Sequence, residues 1–262
     1  MNKTKRSAAL ITGGATRLGL AFSEFLARAG YDIILHFNGS SEAASLAIKN
    51  IKKLGVSCTA IQADLSKTDP ADLVGQAVEC HSNISVLVNS ASVYDAATIA
   101  KTSMEILQRQ FAVNMFAPFI LTQAFADVCS RNSDTKGQVI NILDNKIAFQ
   151  QYSYAAYLLS KKSLADFTHM AAIEYAPNIR INAIAPGVIL PGVERTSDYL
   201  AWRVEGIPLK MQGRVEHLLH AMNYLLVSDF VTGQVLTVDG GEGTNHQGLN
   251  AEQFNGKSDQ ET

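Results

Sequence analysis

Short apolar runs rich in β-branched residues alternate along this chain with longer stretches whose apolar positions recur at helical spacing. The short runs predict strands at 8–12, 32–37, 57–62, 86–89, 138–143, 180–184 and 234–238. The longer stretches predict helices at 19–29, 41–54, 69–80, 103–130, 154–175 and 214–226. Because the strands are apolar almost throughout, we expect a doubly wound α/β fold, with a parallel sheet of about seven strands and helices on both faces.

The pattern contains neither an internal repeat nor a linker, which predicts a single domain over residues 1–262. Residues 1–7 and about 242–262 are predicted to be terminal tails with little core contact, because the sequence there is mostly polar. The segment 190–209 shows no clean strand or helix period, and we predict a loop that carries Pro191, Tyr199, Trp202 and Pro208.

Composition and charge argue against several classes of function. Of the 262 residues, 47% are hydrophobic and 18% are charged, and 22 basic against 24 acidic residues give a net charge of −2. This balance is typical of a soluble globular protein and argues against a nucleic-acid partner. The apolar run after the basic start is too short for a signal peptide, and no stretch approaches the roughly 18 apolar residues of a membrane helix.

The cysteines and histidines also favour an ordinary intracellular protein. Cys58, Cys80 and Cys129 are odd in number and far apart, which predicts buried, reduced thiols in the cytoplasm. The six histidines show no metal-ligand spacing, so we expect no metal site.

The most informative residues are a tyrosine, a lysine and an aspartate. Tyr157 and Lys161 are four residues apart, about one helical turn, so they should share a helix face. A lysine ammonium beside the phenol is expected to lower the pKa of Tyr157 and make it a proton donor near neutral pH. Asp144 ends an apolar strand thirteen residues earlier, and we expect its carboxyl within hydrogen-bond reach of the Tyr157 hydroxyl, directly or through one water.

This ordered set resembles the short-chain dehydrogenase/reductase family, whose active site is a Tyr-x-x-x-Lys pair preceded by a serine. Asp144 in place of that serine resembles the pteridine reductase branch, which includes dihydromonapterin and dihydrofolate-type reductases. The resemblance runs from Ala8 to Gly241 and includes the closing Val-Asp-Gly-Gly at 238–241. It implies a Rossmann-type fold and a catalytic set of Asp144, Tyr157, Lys161 and Asn114.

The turn after the first strand, Thr-Gly-Gly-Ala-Thr-Arg-Leu-Gly at 12–19, predicts a dinucleotide site. Glycines there permit close approach of a pyrophosphate to the start of the following helix. The resemblance implies that this turn binds the cofactor through Gly13, Arg17, Leu18 and Gly19. Arg17 stands where the wider family has its middle glycine, as it does in pteridine reductases.

The end of the second strand favours NADPH over NADH. Folds that bind NAD place an acidic residue there, whereas this chain has His-Phe-Asn-Gly-Ser at 36–40. The resembling family often has an arginine at the position of Gly39. The 2′-phosphate is therefore expected to be bound by Arg17, His36 and Ser40.

Other matches to the family complete the expected cofactor site. Asp64 matches the family residue that binds the adenine amino group, although it is also placed to cap a helix, and the next residue, Leu65, is assigned to the cofactor site. The resemblance further assigns to the cofactor site Asn89, Ala91, Tyr157, Lys161, Pro186 and Gly187. Lys161 is expected to bind the nicotinamide ribose, and Pro186 and Gly187 are expected to border the nicotinamide. Asn114 matches a helix asparagine that links the lysine to solvent through water, and a solvent-facing side chain is the alternative.

The expected substrate site consists of Ser92, Tyr94, Asp144 and Tyr157. Tyr94 matches an aromatic that stacks a flat pterin against the nicotinamide, and packing of a loop is the alternative. Tyr154 matches a pocket wall, and the aromatics of segment 190–209 are expected to cover the substrate, although Trp202 is as well explained by packing.

The resemblance implies NADPH-dependent reduction of a dihydropterin or dihydrofolate-type C=N bond. One alternative is a short-chain ketone or 3-oxoacyl-thioester reductase, which would tolerate Asp144 in place of serine. A further alternative is a non-catalytic NADP-sensing protein. The family also implies a homotetramer.

Overall fold

In the computed structural model, residues 6–131, 136–190 and 196–245 are described. One sheet contains seven parallel strands, in the order β3-β2-β1-β4-β5-β6-β7. The strands are Ala8–Ile11 (β1), Asp32–Phe37 (β2), Cys58–Gln62 (β3), Ile84–Asn89 (β4), Gly137–Ile142 (β5), Ile179–Pro186 (β6) and Val235–Val238 (β7). The predicted seven-stranded parallel sheet is confirmed, because each predicted strand overlaps an observed one.

Helices cover both faces of the sheet, so the predicted Rossmann-type α/β fold is also confirmed. They are Arg17–Arg28 (α1), Ser41–Lys52 (α2), Pro70–Cys80 (α3), Met104–Phe111 (α4), Ala117–Ser130 (α5), Ala155–Glu174 (α6), Ser197–Glu205 (α7), Val215–Val227 (α8) and Glu242–Asn245 (α9). Helices α3, α5 and α6 pack on one face and α1, α2 and α8 on the other, each with its own hydrophobic core.

The predicted helix at 103–130 is not a single regular α-helix. A π-helical turn, Ala112–Phe116, separates α4 from α5 and contains Asn114. The whole stretch Met104–Ser130 is long and apolar enough to cross a membrane, by length and composition only. The expectation that no stretch approaches a membrane helix is therefore wrong by length and hydropathy. The core helix of a soluble protein meets the same criterion, and Phe125 of α5 is fully buried in the core.

The strand order places a topological switch point between β1 and β4. The chain proceeds outward from β1 to β2 and β3, and then returns to β4 on the other side of β1. Because the connections leave in opposite directions, a crevice opens at the carboxyl ends of these two strands. The loops after β1, β4, β5 and β6 therefore meet there.

Two segments differ from the predicted outline. The loop predicted for 190–209 contains helix α7, which Thr196 caps by accepting from the Tyr199 N–H at 3.2 Å. The predicted tail does not begin at 242, because Glu242 is 1% exposed and lies in α9. The spacing of apolar residues along the chain predicted neither helix α7 nor the burial of Glu242, since each depends on contacts with distant residues. Residues 1–5, 132–135, 191–195 and 246–262 lie outside the described part of the chain.

The prediction of buried thiols is right for two of the three cysteines. Cys58 and Cys129 are buried, and burial raises the pKa of each thiol to about 11. Cys80, the last residue of α3, is exposed.

Candidate active site

A cavity of about 830 Å³ lies at the switch point and brings together residues from the loops after β1, β4, β5 and β6. Lys161 and Tyr157 enter it from α6. Twelve of the residues predicted for the site line this cavity: Gly13, Arg17, Leu18, Gly19, Ala91, Ser92, Tyr94, Asp144, Tyr157, Lys161, Pro186 and Gly187. The cavity extends from the glycine-rich turn to the Asp144–Tyr157 pair.

Close packing explains two of the glycines in the turn. Gly13 has a φ of +64°, and a Cβ there would lie 3.1 Å from Ala91 Cα. A Cβ at Gly19 would lie 2.1 Å from the Gly13 carbonyl oxygen, so no other residue fits. The turn therefore lies directly against the first turn of α1 and the loop after β4.

Thr12 holds the turn to the neighbouring loop, a role that the sequence reasoning did not assign. Its Oγ1 accepts from the Ser90 and Ala91 N–H groups at 2.9 and 3.0 Å. The threonine at the carboxyl end of β1 was visible in the sequence, but only the pairing of β1 with β4 shows what it binds.

Arg17 lies at the mouth of the cavity in the left-handed backbone region, with a φ of +50°. A residue other than glycine in that region costs roughly 1–2 kcal/mol. Its guanidinium is exposed and donates to the Leu190 carbonyl oxygen at 2.8 Å. Arg17 therefore places a positive charge at the mouth of the cavity, between the glycine-rich turn and the loop after β6.

The prediction that His36 binds a 2′-phosphate is wrong. His36 is 2% exposed, and its Nδ1 accepts from the Gly13 N–H at 3.2 Å. The opposite nitrogen, Nε2, therefore carries the proton and donates to the Ala63 carbonyl oxygen at 3.0 Å. Burial lowers the pKa of His36, so the ring is neutral and holds the glycine-rich turn in place. Ser40 is exposed at the start of α2 and does not line the cavity.

Asp64 organises a turn at the carboxyl end of β3. Its Oδ1 accepts from the Ser66 N–H at 3.0 Å and from the Ser66 hydroxyl at 2.6 Å, and Lys67 lies 3.1 Å from Oδ2. The Ser66 hydrogen bonds, with help from Lys67, lower the pKa of Asp64 to about 2. The alternative of a helix cap is wrong, because Asp69 caps α3 through the Ala71 N–H at 2.9 Å. Binding of adenine by Asp64 stays a prediction.

Two further predicted cofactor residues are buried and do not line the cavity. Leu65 is 6% exposed and belongs to the hydrophobic core on the α3, α5 and α6 face of the sheet. Asn89 is 2% exposed and donates through Nδ2 to Asn141 Oδ1 at 2.8 Å. Any contact of these residues with a nucleotide would therefore come from their backbone atoms.

Asp144 and Tyr157 form a direct hydrogen bond, which confirms the predicted contact. The Tyr157 hydroxyl donates to Asp144 Oδ2 at 2.8 Å. Asp144 Oδ1 accepts from the Lys146 N–H at 2.8 Å, at the start of the 3₁₀ helix Asn145–Ala148. We call Asp144 and this 3₁₀ helix the Asp144 turn. Lys161 Nζ donates to the Ile142 carbonyl oxygen at 2.8 Å, on the strand that leads into the turn.

The expected lowering of the phenol's pKa is wrong for this structure. Burial raises the pKa of Tyr157 well above 10, and the charge and hydrogen bond of Asp144 raise it further. Burial also lowers the pKa of Lys161 to about 8, although Asp144 opposes that shift. The nearest charged partner of the phenol is thus the carboxylate rather than the ammonium. Tyr157 consequently keeps its proton at neutral pH.

The titration of Lys161 gives a testable effect on stability. Its pKa is about 8 in the folded protein against 10.5 in its usual state, so between these values the unfolded chain binds more protons. The contribution of Lys161 to stability therefore increases as pH rises through this window. The raised pKa values of the buried thiols and phenols make stability fall as pH rises. The contribution of Lys161 is therefore seen only as a difference in stability between the wild type and a Lys161 variant.

We expect the unfolding temperature of the wild type, relative to that of Lys161→Met, to rise between about pH 8 and pH 10. Differential scanning fluorimetry of the nucleotide-free proteins measures it. Lys162→Met is the matched control, because Lys162 is the next residue on α6 and its Nζ donates to the Phe149 carbonyl oxygen outside the cavity. If the unfolding temperatures of the wild type and Lys161→Met change with pH in parallel, the lowered pKa of Lys161 is contradicted.

Asn114 is completely buried, so the alternative of a solvent-facing asparagine is wrong. Its Oδ1 accepts from the Val93 N–H at 2.9 Å and from the Ser92 hydroxyl at 3.1 Å. Its Nδ2 donates to the Val93 carbonyl oxygen at 3.0 Å and lies 3.2 Å from Ser160 Oγ. Asn114 thereby ties the loop that carries Ser92 and Tyr94 to helix α6. Ser160 was not among the predicted site residues. Its only signal in the sequence is that it is a polar residue on the buried face of α6.

Three tyrosines form an aromatic cluster beside the proton donor. The Tyr94 ring stacks on Tyr154 with centroids 4.3 Å apart and meets Tyr157 edge-on at 4.6 Å. Tyr94 is 47% exposed and lines the cavity, as does Tyr154. The Tyr199 and Trp202 rings lie with their centroids 5.9 Å apart and do not line the cavity, although the charge of Tyr199 is one of the smaller causes that raise the pKa of Tyr94. Their place over the substrate stays a prediction.

The fold, the glycine-rich turn and the Tyr157–Lys161 pair define a nucleotide-dependent oxidoreductase site. Residues 7–199 match the family model described as short chain dehydrogenase, and the chain belongs to this family. An uncharacterized oxidoreductase of Mycobacterium tuberculosis is 33% identical over 240 residues, covering 89% of this chain and 90% of that protein.

Two comparisons concern named reductases. The dihydromonapterin reductase of an Enterobacter species is 26% identical over 237 residues, covering 90% of this chain and 96% of that protein. The crystal structure of FolM alternative dihydrofolate reductase 1 from Brucella canis, complexed with NADP, is 32% identical with a TM-score of 0.85. That similarity covers 91% of this chain and 94% of the other.

Proposed function

We propose that this protein is an NADPH-dependent reductase of a dihydropterin or dihydrofolate-type C=N bond. The observation that carries the proposal is the direct hydrogen bond from Tyr157 to Asp144 inside the cavity. A carbonyl substrate needs a single proton donor beside its oxygen. A pterin also presents ring nitrogens, for which an added carboxyl is a suitable partner. The names of the dihydromonapterin and dihydrofolate reductase relatives support the same substrate class.

The residues present fit a dinucleotide. The closely packed Gly13 and Gly19 leave room at the start of α1 where a pyrophosphate would approach the backbone N–H groups. Arg17 is the cation at this end of the cavity, and Lys161, Pro186 and Gly187 line the end where the nicotinamide would lie. When bound there, NADPH supplies the hydride.

The side chains of this chain supply the proton and the orientation. Tyr157 stays protonated at neutral pH, so its hydroxyl is a donor for the ring nitrogen next to the carbon that receives the hydride. That nitrogen becomes strongly basic as the hydride arrives and takes the phenolic proton, so C=N becomes CH–NH. Asp144 fixes the direction of the hydroxyl, and the buried ammonium of Lys161 stabilises the phenolate that remains.

The proposal is tested by measuring NADPH oxidation, through the loss of the absorbance of the reduced nicotinamide, with three substrates. We expect turnover with 7,8-dihydrobiopterin or dihydrofolate and little with acetoacetyl thioesters. Preferential turnover of the thioester would instead support a ketone or 3-oxoacyl reductase. Tight NADPH binding without any turnover would support a nucleotide-sensing protein.

The choice of NADPH rests on Arg17. We expect NADPH to bind about tenfold or more tightly than NADH, since one charge-assisted contact to a phosphate is worth about 1.4 kcal/mol or more. Arg17→Ala should remove most of this preference, measured by calorimetric titration of both nucleotides. Arg28→Ala is the matched control, because Arg28 is exposed at the opposite end of the same helix. Equal dissociation constants for the two nucleotides in the wild type would contradict the prediction.

We also propose a homotetramer that acts in the cytoplasm. Two separate apolar surfaces are exposed, one around α5 and α6 and the other beside the edge strand β7. The first includes Phe116, Phe119, Met170 and Ile173, and the second includes Tyr224, Val227 and Phe230. Two different self-complementary surfaces on one chain generate a tetramer with dihedral symmetry. The three free cysteines suit a reducing compartment.

Light scattering after size exclusion measures the assembly. We expect the mass of four 28.3-kDa chains for the wild type and a smaller particle for Ile173→Asp, whose charge would lie in the first surface. Leu46→Asp is the control, because Leu46 is an exposed leucine on α2 outside both surfaces. A monomeric wild type would rule out the tetramer and leave the catalytic proposal intact.

A further inference from the structure

A buried ion pair joins helix α7 to the segment that follows β7. Arg203 Nη1 of α7 lies 2.8 Å from Glu242 Oε1, and the two side chains are only 4% and 1% exposed. Burying two charges costs free energy unless both are well paired and their remaining hydrogen-bonding atoms are satisfied. A pair this deep therefore depends on further partners for its oxygen atoms.

The second Glu242 oxygen is bound by the residue next to Asp144. Asn145 Nδ2 donates to Glu242 Oε2 at 2.9 Å and lies 3.2 Å from Asp239 Oδ2, and Asn145 is itself 3% exposed. Asn145 is the first residue of the 3₁₀ helix in the Asp144 turn. Its amide thus connects the ion pair to the turn whose carboxylate accepts from Tyr157.

A tight turn after β7 brings Glu242 to this position. Gly240 and Gly241 have φ values of +67° and +88°, in the left-handed region that glycine tolerates. Asp239 Oδ1 accepts from the Gly241 N–H at 2.9 Å, and its Oδ2 accepts from the Gly243 N–H at 2.6 Å. The turn reverses the chain so that Glu242 faces the core instead of solvent.

We infer that Asn145 and Glu242 are positioning residues, which transmit the docking of α7 to the catalytic carboxyl of Asp144. The contacts run in order from Arg203 to Glu242, to Asn145, and through one peptide bond to Asp144, which binds the Tyr157 hydroxyl. Arg203, Glu242 and Asn145 do not line the cavity, so these residues act on the reaction only through the Asp144 turn. The inference rests on the proposed function, because it assumes that Asp144 takes part in the reaction.

Asn145→Ala tests the connection while leaving the ion pair intact. We expect kcat for dihydropterin reduction to fall by about ten- to a hundredfold, since a displacement of about 1 Å at a reacting group has an effect of this size. The KM for NADPH should be unchanged, because the glycine-rich turn is not involved. The fluorescence of Trp202 should also be unchanged. Trp202 is the single tryptophan of the chain and precedes Arg203 on α7, so its emission reports the docking of that helix.

Glu242→Gln tests the other half of the connection. It removes one charge of the buried pair, so we expect a red-shifted Trp202 emission together with a fall in kcat. Asn182→Ala is the matched control: Asn182 is also buried, and its amide binds the Val231 carbonyl oxygen and the Gln234 N–H, away from the Asp144 turn. This control should lower the unfolding temperature but leave kcat and Trp202 emission unchanged.

The outcomes separate the inference from the proposed function. If the wild type does not reduce dihydropterins or dihydrofolate, the proposed function fails, and Trp202 emission in Glu242→Gln still tests the docking of α7. If the wild type is active and Asn145→Ala keeps its kcat, the positioning role is overturned. A loss of kcat accompanied by a parallel rise in the KM for NADPH would indicate general loosening and would also overturn it.

Discussion

Replacing Tyr157 by phenylalanine is expected to lower kcat by about 10²–10⁴, because the ring remains while the proton donor is lost. The hydroxyl is the group that donates to Asp144 at 2.8 Å, and its pKa is raised by burial and by that carboxylate. A phenol that keeps its proton at neutral pH is suited to donation rather than to general-base catalysis. The affinity for NADPH should change little, and steady-state kinetics with a dihydropterin together with nucleotide titration measure both effects.

Tyr152→Phe is the control for that variant, because Tyr152 is 68% exposed and does not line the cavity. It should retain full activity. Near-normal turnover in Tyr157→Phe would move the proton donor to another group of the cavity, and Tyr154→Phe would then be the decisive variant. Tyr154 is the next tyrosine of the aromatic cluster and stacks on Tyr94.

Asp144→Ser is expected to abolish most dihydropterin reduction, by about 10²-fold or more in kcat/KM, while sparing reduction of simple activated ketones. Serine restores the pattern of the wider family, in which one hydroxyl beside the tyrosine suffices for a carbonyl. Loss of the carboxylate also removes two of the causes that raise the pKa of Tyr157, so this pKa should move toward its usual value. The two substrates and the pH dependence of kcat are measured on the same preparation.

Asp166→Ser controls for the loss of one negative charge, since Asp166 is exposed on the same helix as Tyr157. It should behave as the wild type with both substrates. If Asp144→Ser reduces dihydropterin as fast as the wild type, the pteridine assignment loses its main support. The ketone-reductase alternative would then be the better description of this enzyme.

Much of this site was determined by local sequence. The alternating apolar runs predicted each strand of the sheet, because a strand buried on both faces must be apolar along its length. The spacing of Tyr157 and Lys161 predicted a shared helix face, since four residues make about one turn. Asp144 at the end of a neighbouring strand could then be placed beside the phenol, and the 2.8 Å hydrogen bond bears this out.

The tertiary structure alone decided which groups are charged, buried or linked. His36 was predicted to bind phosphate from its position after β2, but it is neutral and holds Gly13, because the glycine-rich turn lies over it. Lys161 was expected to lower the pKa of Tyr157, yet burial and Asp144 raise it. Glu242 belongs to a polar stretch that predicted a tail, whereas the ion pair with Arg203 buries it. Sequence spacing determines which side chains share a face of one element. The burial and charge of a side chain depend on segments that are distant in the chain and meet only after folding.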